Sequence, residues 1–270
     1  EALLDDLEWL GFEWDEGPRI GGPESTYWQS ERQEYYANIL ESLALEKLIY
    51  PCFCNRARLQ SIASAPHVGE VAHRYDGHCR HIDEEEVKML SAEKDPSLRL
   101  SIDSCDIEFT DRWQGTQHIH LEGELDDYVL RRGDGMYAYN LAVVLDDIAM
   151  GITEIIRGDD LLDTTGQQIY LYKTLQQCLH SKHIKVPSYG HAPLLIDSEG
   201  HRLSKRQKSI TIRELRDNQW SANRIVGELA IAGGLVKANT LNNREISISE
   251  LIEIDLNLPS LRQKTIEIKI

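Results

Sequence analysis

The chain has 270 residues, of which 41% are hydrophobic and 27% are charged, as in globular proteins that bury a substantial core. Its 45 acidic and 29 basic residues give a formal net charge of −16, which disfavours non-specific binding to nucleic acid. No apolar run approaches the length of about 18 residues that a membrane span needs, and no signal-peptide pattern opens the sequence, so we expect no membrane contact.

Two helices are predicted before the cysteines begin. In the first, Gly11 is a suitable C-terminal stop, and leucines recur at helical spacing as Leu3, Leu7 and Leu10. Because no capping residue precedes it, we expect this helix to continue from a segment upstream of Glu1. In the second, Ser30 is the predicted N-cap and Gln33 completes a capping box.

Further along the chain, strand patterns alternate with helix patterns. A helix with an acidic first turn is predicted at residues 83–90, and Thr164 or Thr165 is expected to open another. Strand patterns occupy residues 97–103, 105–111, 152–158 and 191–197. From Ile212 onward the periodicity is mostly helical. This alternation predicts an α/β domain with a parallel sheet.

Three of the five cysteines lie close together in the sequence, as Cys52, Cys54 and Cys79. Thiolates are strong zinc ligands, and three of them need one nitrogen or oxygen to complete a tetrahedron. The alternative is three buried and inert thiols, because free cysteine is often fully buried. Charged residues around them argue against an apolar environment, so we favour one structural zinc ion, in a protein of the reducing cytoplasm.

Two residues compete as the fourth zinc ligand. His81 follows Cys79 after one residue, and a neutral imidazole binds zinc readily near neutral pH. Tyr75 stands four residues before Cys79, but its phenol has an unperturbed pKa near about 10 and must lose a proton to the metal. Ligand chemistry alone therefore favours His81.

Four phrases of the sequence resemble one protein family. They occur in the order YPCFCNRARLQSI…YDGHCRH, AYNLAVVLDD, EIIRGDDLL and HAPLLIDSEGHRLSK. Together they resemble the glutamyl-tRNA synthetase group of class I, and most closely its short relatives, the glutamyl-Q tRNA(Asp) synthetases. The resemblance runs from Glu1 to about Lys205 and is weak beyond that point.

The resemblance implies a fold and a division into regions. It implies a Rossmann-type catalytic domain that is split by a small zinc-bearing insertion and followed by a short, mainly helical tail. The first part of the catalytic domain, with its HIGH-type motif, is expected upstream of Glu1. We expect the remainder of the first catalytic half at 1–50, the insertion at 51–127, the second catalytic half at 128–205 and the tail at 206–270.

The same resemblance implies two sets of zinc ligands. In the short enzymes the pattern is C-x-C and Y-x3-C, which corresponds to Cys52, Cys54, Tyr75 and Cys79. In the full-length synthetases it is C-x-C and C-x-H, which takes His81 in place of Tyr75. This sequence satisfies both patterns, and we favour Tyr75 because the other phrases resemble the short enzymes.

The reaction that the resemblance implies is activation of L-glutamate by ATP, with Mg²⁺, and its transfer to queuosine in the anticodon of tRNA(Asp). Tyr139 and Arg157 match the family's glutamate-binding positions, with a hydroxyl and a bidentate guanidinium. Lys205 would stabilise the charge that builds on the α-phosphate. The ATP-binding loop, which stands where the family has its KMSKS signature, comprises Arg202, Leu203, Ser204, Lys205 and Arg206.

Each assignment has an alternative. Arg157 would otherwise be a surface arginine paired with Asp159 or Asp160, and Tyr139 a core aromatic residue. One rival function is a truncated glutamyl-tRNA synthetase that charges tRNA(Glu), disfavoured because no anticodon-binding domain fits before Ile270. The other is a non-catalytic, synthetase-like RNA-binding module, disfavoured by the acidic net charge. We expect a monomer.

Overall fold

The computed structural model describes residues 2–55, 57–59, 75–203 and 211–268. Three residues of the expected ATP-binding loop, Ser204, Lys205 and Arg206, therefore lie outside the described residues. The longer α-helices are α1 Ala2–Leu10, α2 Gln33–Leu45, α3 Glu84–Glu93, α4 Tyr139–Ala149, α5 Leu162–Cys178, α6 Ile212–Asp217, α7 Ala222–Ala232 and α8 Ile248–Glu253. The strands are β1 Ile49–Cys52, β2 Ser97–Leu100, β3 Cys105–Asp111, β4 Gly115–Leu121, β5 Val129–Arg131, β6 Glu154–Gly158, β7 Ser188–Ala192, β8 Leu194–Ile196 and β9 Thr265–Glu267.

A four-stranded mixed sheet in the order β4-β3-β7-β6 organises the centre of the chain. Strands β6 and β7 run parallel over their whole length, and β3 runs parallel to β7 with Asp111 opposite Tyr189. Strand β4 pairs antiparallel with β3 as a hairpin that the sequence patterns did not predict. The predicted α/β class is confirmed, and the parallel strands end at one edge of this sheet.

A second sheet, in the order β1-β2-β5, is antiparallel and shares the main hydrophobic core with the first. Helices α2, α4 and α5 supply the other side of that core. Its buried residues come from both sheets and all three helices and include Leu43, Leu100, Leu130, Ile107, Leu141, Leu171, Leu175 and Tyr189. Strand β3 lies within the expected insertion, residues 51–127, yet pairs with β7 of the second catalytic half. The boundaries of the insertion stay a prediction.

The start of helix α2 differs from the prediction. Residues Gln29–Glu31 form a 3₁₀ turn and Arg32 takes the N-cap position, without a side-chain cap from Ser30. The guanidinium of Arg32 is buried and lies 2.8 Å from the carboxylate of Asp146 on α4. The predicted capping box is therefore wrong, because this tertiary ion pair places Arg32 at the helix start.

Helix α5 also begins earlier than predicted, at Leu162. Thr164 and Thr165 lie inside its first turn, and both hydroxyls donate to the carbonyl of Leu161, at 2.9 Å and 3.1 Å. The prediction that one of them opens the helix is wrong. Each threonine bonds backward along the helix rather than forward as a cap.

The strand predicted at residues 191–197 is two strands in two sheets. Strand β7 ends at Ala192, and β8 begins at Leu194 and pairs parallel with β9 near the end of the chain. Pro193 lies between them and has no N–H to offer to a sheet. The proline therefore ends the hydrogen bonding between β7 and β6, and the chain continues into β8, which pairs with β9.

The tail has its own hydrophobic cluster, to which helix α1 contributes. Its buried members come from both ends of the chain and are Leu10, Leu215, Ile225, Val226 and Ile246. Helices α6 and α8 begin with capping boxes at Thr211 and Ser247. The helical character predicted from Ile212 is confirmed for α6, α7 and α8, while β9 was not predicted.

Crossing a membrane requires a long and apolar helix, and none exists among the described residues.

Candidate functional site

The three clustered cysteines meet at the end of strand β1. Cys52 ends that strand, Cys54 follows it, and a short 3₁₀ helix at His78–His81 brings Cys79 to them. Their sulfur atoms all lie within 4.8 Å of one another, and the Sγ atoms of Cys54 and Cys79 are 3.6 Å apart. Sulfurs bound tetrahedrally at about 2.3 Å from zinc lie about 3.8 Å apart, so these thiols fit a zinc ion.

Of the two candidate fourth ligands, Tyr75 is the one that lies against the thiols. Its buried hydroxyl is 3.7 Å from the Sγ of Cys52 and accepts the backbone N–H of Cys79 at 2.7 Å. The imidazole of His81 is 72% exposed, and its Nε2 lies 2.7 Å from a carboxylate oxygen of Glu124. The structure therefore brings Tyr75 together with the three cysteines and leaves His81 outside the cluster.

The guanidinium of Arg99 lies next to this cluster, and the pKa values of two of its thiols are shifted in opposite directions. Burial raises the pKa of the Cys52 thiol, but the guanidinium of Arg99, together with hydrogen bonds from the Cys54 backbone and the Tyr75 hydroxyl, holds that pKa below its ordinary value. The pKa of Cys54 is raised to about 12, by burial first and then by the charge of Cys52. Burial also raises the pKa of Tyr75, whose ring lies 3.8 Å from the guanidinium of Arg99. A bound dication reverses such shifts, because a thiol that coordinates zinc loses its proton.

The second predicted site begins with Arg157, near the C-terminal end of strand β6. Its Nη1 donates to Gln168 at 2.7 Å, and its Nε donates to His191 at 3.0 Å. Its Nη2 donates to Thr165 at 2.7 Å and to the carbonyl of Leu161 at 3.4 Å. All four partners are uncharged acceptors, and no carboxylate among the described residues forms an ion pair with Arg157. Arg157 therefore does not form the ion pair with Asp159 or Asp160 that was its alternative role. Its positive charge is available to an anionic ligand.

Tyr139 is the first residue of helix α4, and its side chain is exposed rather than buried in the core. The next residue, Asn140, accepts a hydrogen bond from Gln168 at 2.9 Å, and Gln168 in turn accepts one from Arg157. Gln168 thus links strand β6, which carries Arg157, to the start of helix α4, which carries Tyr139. A ligand has access to the hydroxyl of Tyr139.

The beginning of the expected ATP-binding loop lies beside this site. Arg202 and Leu203 continue a tight hairpin from β8, in which Leu203 N–H donates to Leu195 at 2.9 Å. The guanidinium of Arg202 is 2.8 Å from Asp160, in the turn that directly follows the strand of Arg157. Arg202 and Leu203 are therefore near the sheet edge that carries Arg157. The other three loop residues lie outside the described part of the chain.

Sequence reasoning missed the buried histidine that contacts Arg157 and the aspartate that contacts this histidine. Asp111 ends strand β3 and His191 stands near the end of β7, and both are almost completely buried. The carboxylate of Asp111 is 2.6 Å from the Nδ1 of His191. The sequence did contain a signal for Asp111, which is a polar residue at the last position of a predicted strand. Such positions are candidates for a site because ligands bind where parallel strands end.

Comparisons with known proteins identify the family of this chain. The family described as class I tRNA synthetases (E and Q), catalytic domain, matches residues 1–263. A glutamyl-Q tRNA(Asp) synthetase of Symbiobacterium thermophilum is 44% identical over 238 residues, covering 87% of this chain and 71% of that protein. A protein of the same name from Nitratidesulfovibrio vulgaris is 43% identical, and a glutamate–tRNA ligase of Sulfurihydrogenibium is 34% identical over only 47% of its own length.

Among solved structures, a glutamate–tRNA synthetase from Elizabethkingia anophelis superimposes with a TM-score of 0.78 at 25% identity. The alignment covers 99% of this chain and 57% of that one. The chain therefore spans somewhat more than half of the solved synthetase that it matches, and its fold is the fold of that catalytic region.

Proposed function

This chain belongs to the class I tRNA synthetases for glutamate and glutamine, and from that membership we propose that it activates L-glutamate with ATP and transfers it to queuosine in the anticodon of tRNA(Asp). The names of the relatives at 44% and 43% identity support the queuosine-bearing acceptor. The identity to those relatives is higher than the 34% identity to a glutamate–tRNA ligase, which also favours the queuosine-bearing acceptor.

The charge of Arg157 is the observation that carries this proposal. Its guanidinium is held by uncharged partners at the C-terminal edge of parallel strands, where ligands of open α/β sheets bind. Glutamate has two carboxylates, and a planar guanidinium can bind one of them through two parallel hydrogen bonds. The accessible hydroxyl of Tyr139 supplies a second polar contact.

For ATP we propose the loop that begins at Arg202. Lys205 would place an ammonium on the phosphates, together with a Mg²⁺ ion, and stabilise charge on the α-phosphate as glutamate attacks. In that step a carboxylate oxygen of glutamate forms a bond to the α-phosphorus, and pyrophosphate leaves. The contact of Arg202 with Asp160, at 2.8 Å, supports this proposal because it places the start of the loop beside the strand of Arg157.

For the cysteine cluster we propose one structural zinc ion with four protein ligands, Cys52, Cys54, Tyr75 and Cys79. The ion would leave no open coordination position, so it stabilises the fold and takes no part in the reaction. None of the five cysteines forms a disulfide, and we propose the reducing cytoplasm as the compartment. The monomeric state stays a prediction.

The acceptor RNA is tested directly. The full-length gene product is incubated with labelled glutamate, ATP and one of three RNAs: tRNA(Asp) with queuosine, the same tRNA without it, and tRNA(Glu). We expect label on the first alone. Label on tRNA(Glu) would establish the truncated glutamyl-tRNA synthetase instead. Failure of glutamate-dependent ATP–pyrophosphate exchange with all three would favour a non-catalytic RNA-binding module.

A further inference from the structure

Behind Arg157 lies a buried carboxylate–imidazole pair that the proposed reaction does not itself use. Asp111 is 2% exposed and His191 is 0% exposed. One carboxylate oxygen of Asp111, Oδ1, accepts three backbone N–H groups, those of Trp113 at 3.0 Å, Gln114 at 2.9 Å and His191 at 3.2 Å. The other oxygen, Oδ2, is 2.6 Å from the Nδ1 of His191.

The neighbours of His191 determine which of its nitrogens carries the proton. The Nε of Arg157 bears a hydrogen at every relevant pH, and it donates that hydrogen to the Nε2 of His191 at 3.0 Å. The hydroxyl of Thr165 also lies 3.2 Å from Nε2, but its oxygen already accepts a hydrogen bond from Nη2 of Arg157. The permanent donor of Arg157 decides, and Nε2 presents a lone pair. The ring proton is then on Nδ1, where the Oδ2 of Asp111 accepts it.

The three residues form a line across the sheet. Asp111, His191 and Arg157 stand at or near the ends of the adjacent parallel strands β3, β7 and β6, and His191 and Arg157 are direct cross-strand partners. Gln168 and Thr165 hold the two Nη atoms from helix α5. These contacts engage all three nitrogens of the guanidinium, and together they fix its orientation.

We propose that Asp111 and His191 are positioning residues that hold the guanidinium of Arg157 in the orientation that binds the substrate carboxylate. This inference rests on the proposed binding of glutamate by Arg157. A neutral imidazole is suited to the task, because a carboxylate in its place would neutralise Arg157 and compete with the substrate. Asp111 selects the tautomer of His191 and is separated from the guanidinium of Arg157 by the imidazole.

The substitution Asp111→Asn tests the tautomer. The three backbone donors require an acceptor at Oδ1, so the new amide must place its oxygen there and its NH₂ toward Nδ1 of His191. The imidazole is then forced to carry its proton on Nε2, where it faces the N–H of Arg157. Exchanging an aspartate for asparagine behind a functional histidine has this effect in serine proteases.

We expect two results from Asp111→Asn in the full-length enzyme. In ¹⁵N-labelled protein, the protonated nitrogen of His191 changes from Nδ1 to Nε2. In ATP–pyrophosphate exchange, the KM for glutamate rises on the order of tenfold or more, while the KM for ATP and kcat change much less. The NMR result is independent of the substrate, so it remains informative if glutamate proves not to be the ligand.

Asp127→Asn is the matched control, since Asp127 is equally buried and accepts a backbone N–H from Ile102 at 2.6 Å. It should lower stability without changing the KM for glutamate. If Asp111→Asn does not fold, His191→Gln and His191→Leu replace it: glutamine keeps an acceptor for Arg157 and should raise the KM less than leucine. An unchanged KM in a folded variant, an equal rise for ATP and glutamate, or a wild-type proton on Nε2 would each overturn the proposal.

Discussion

At the scale of single residues, the partners of Arg157 explain why its charge is available. Its side-chain partners are an amide oxygen, a hydroxyl and a neutral imidazole, on Gln168, Thr165 and His191, and a backbone carbonyl accepts a further, longer hydrogen bond. These acceptors orient the guanidinium without neutralising it. Arg112, in the turn that follows β3, shows the contrast, because its guanidinium lies 2.7 Å from the carboxylate of Glu154.

We predict that Arg157→Ala raises the KM for glutamate by about 30-fold or more. Leaving one charge of a buried pair without a partner costs about 2–5 kcal/mol, and here the unpaired charge is the substrate carboxylate. ATP–pyrophosphate exchange at increasing glutamate concentrations measures the change. Arg112→Ala, which removes an exposed and already neutralised arginine, should leave the KM unchanged; equal effects of the two variants would contradict the prediction.

Lys205→Ala should behave differently from Arg157→Ala. Its ammonium is expected to act on charge that develops in the transition state, so kcat falls while the affinity for glutamate changes less. Single-turnover adenylate formation at saturating glutamate and ATP measures this step. A rise in KM for glutamate with unchanged kcat would show that Lys205 binds the ground state instead.

The fourth zinc ligand is also decided by single side chains. Tyr75→Phe keeps the ring beneath Arg99 but removes the hydroxyl that lies next to Cys52. Loss of an outer partner of a ligand already costs about 10- to 100-fold in metal affinity, so loss of the ligand should cost more. Competition with a chromogenic chelator measures the affinity. His81→Ala should keep wild-type affinity, and the reverse order of the two variants would assign the site to His81.

At the scale of elements, helix α7 shows how closely the tail is packed. Gly227 is buried within this helix, and a Cβ on it would overlap the backbone carbonyl of Arg244 and lie 3.3 Å from the Cα of Glu245. Arg244 itself has a φ of 61°. A glycine in the middle of a helix is ordinarily unfavourable, and here the close approach of another backbone explains it.

We predict that Gly227→Ala destabilises helix α7 by about 1–3 kcal/mol, although alanine has the higher helix propensity. The clash is with backbone, which cannot move aside as a flexible side chain can. Hydrogen exchange of residues 222–232 measures the free energy of opening. Asn223→Ala, on the exposed face of the same helix, should stabilise it slightly; a stabilising Gly227→Ala would show that the backbone at Arg244 yields.

The same helix carries a pH-dependent contact. Glu228 accepts a hydrogen bond from the Nε of Arg244 at 2.7 Å, and this arginine holds the pKa of Glu228 below its ordinary value of 4.5. A carboxyl group with a lowered pKa stabilises the fold above its unfolded pKa, and that contribution is lost as the pH falls through the folded pKa. The stability of the tail should therefore decline below a pH of about 4.5.

Glu228→Gln tests this dependence. The variant should be less stable than the wild type at neutral pH and should lose less stability on acidification, because the group that titrates is gone. Hydrogen exchange or urea unfolding of the tail at a series of pH values measures both effects. Identical pH profiles for the two proteins would assign the acid sensitivity to other carboxyl groups.

At the scale of the whole molecule, the described residues form three separate hydrophobic clusters. The main core joins the two sheets with α2, α4 and α5, and the tail cluster includes α1. The third is small and consists of the buried side chains of Cys52, Tyr75 and Cys79 with a few neighbours. A cluster of this size buries too little apolar surface to hold itself together, so its order should depend on the metal.

We predict that removing zinc opens only the third cluster. After treatment with a strong chelator, residues 75–82 should lose protection from hydrogen exchange, while β7 and α5 keep theirs. Re-addition of zinc should restore it. In the control variant Cys52→Ser, which lacks one zinc ligand, the chelator should cause no additional loss of protection. A loss of protection throughout the wild-type chain would show that zinc supports the main core as well.

Residue types and their spacing predicted the α/β class, several of the helices and strands, the family and the candidate residues at both sites, whereas β1, β4, β9 and helix α4 were not predicted. These properties depend on residue type and on spacing along the chain, which periodicity and motifs report directly. Even so, the caps of α2 and α5 were predicted incorrectly, because a buried ion pair of Arg32 and the backward bonding of Thr164 and Thr165 override local preference.

Only the tertiary structure decided which residues surround Arg157 and which candidate lies next to the thiols. Asp111 and His191 are 80 residues apart in the chain, and they meet because β3 and β7 are neighbours in the sheet. Tyr75 and His81 satisfy the sequence patterns equally, yet only one of them lies next to the sulfur atoms. Contacts between buried polar groups arise from strand order and packing, and neither leaves a periodic signal in the sequence.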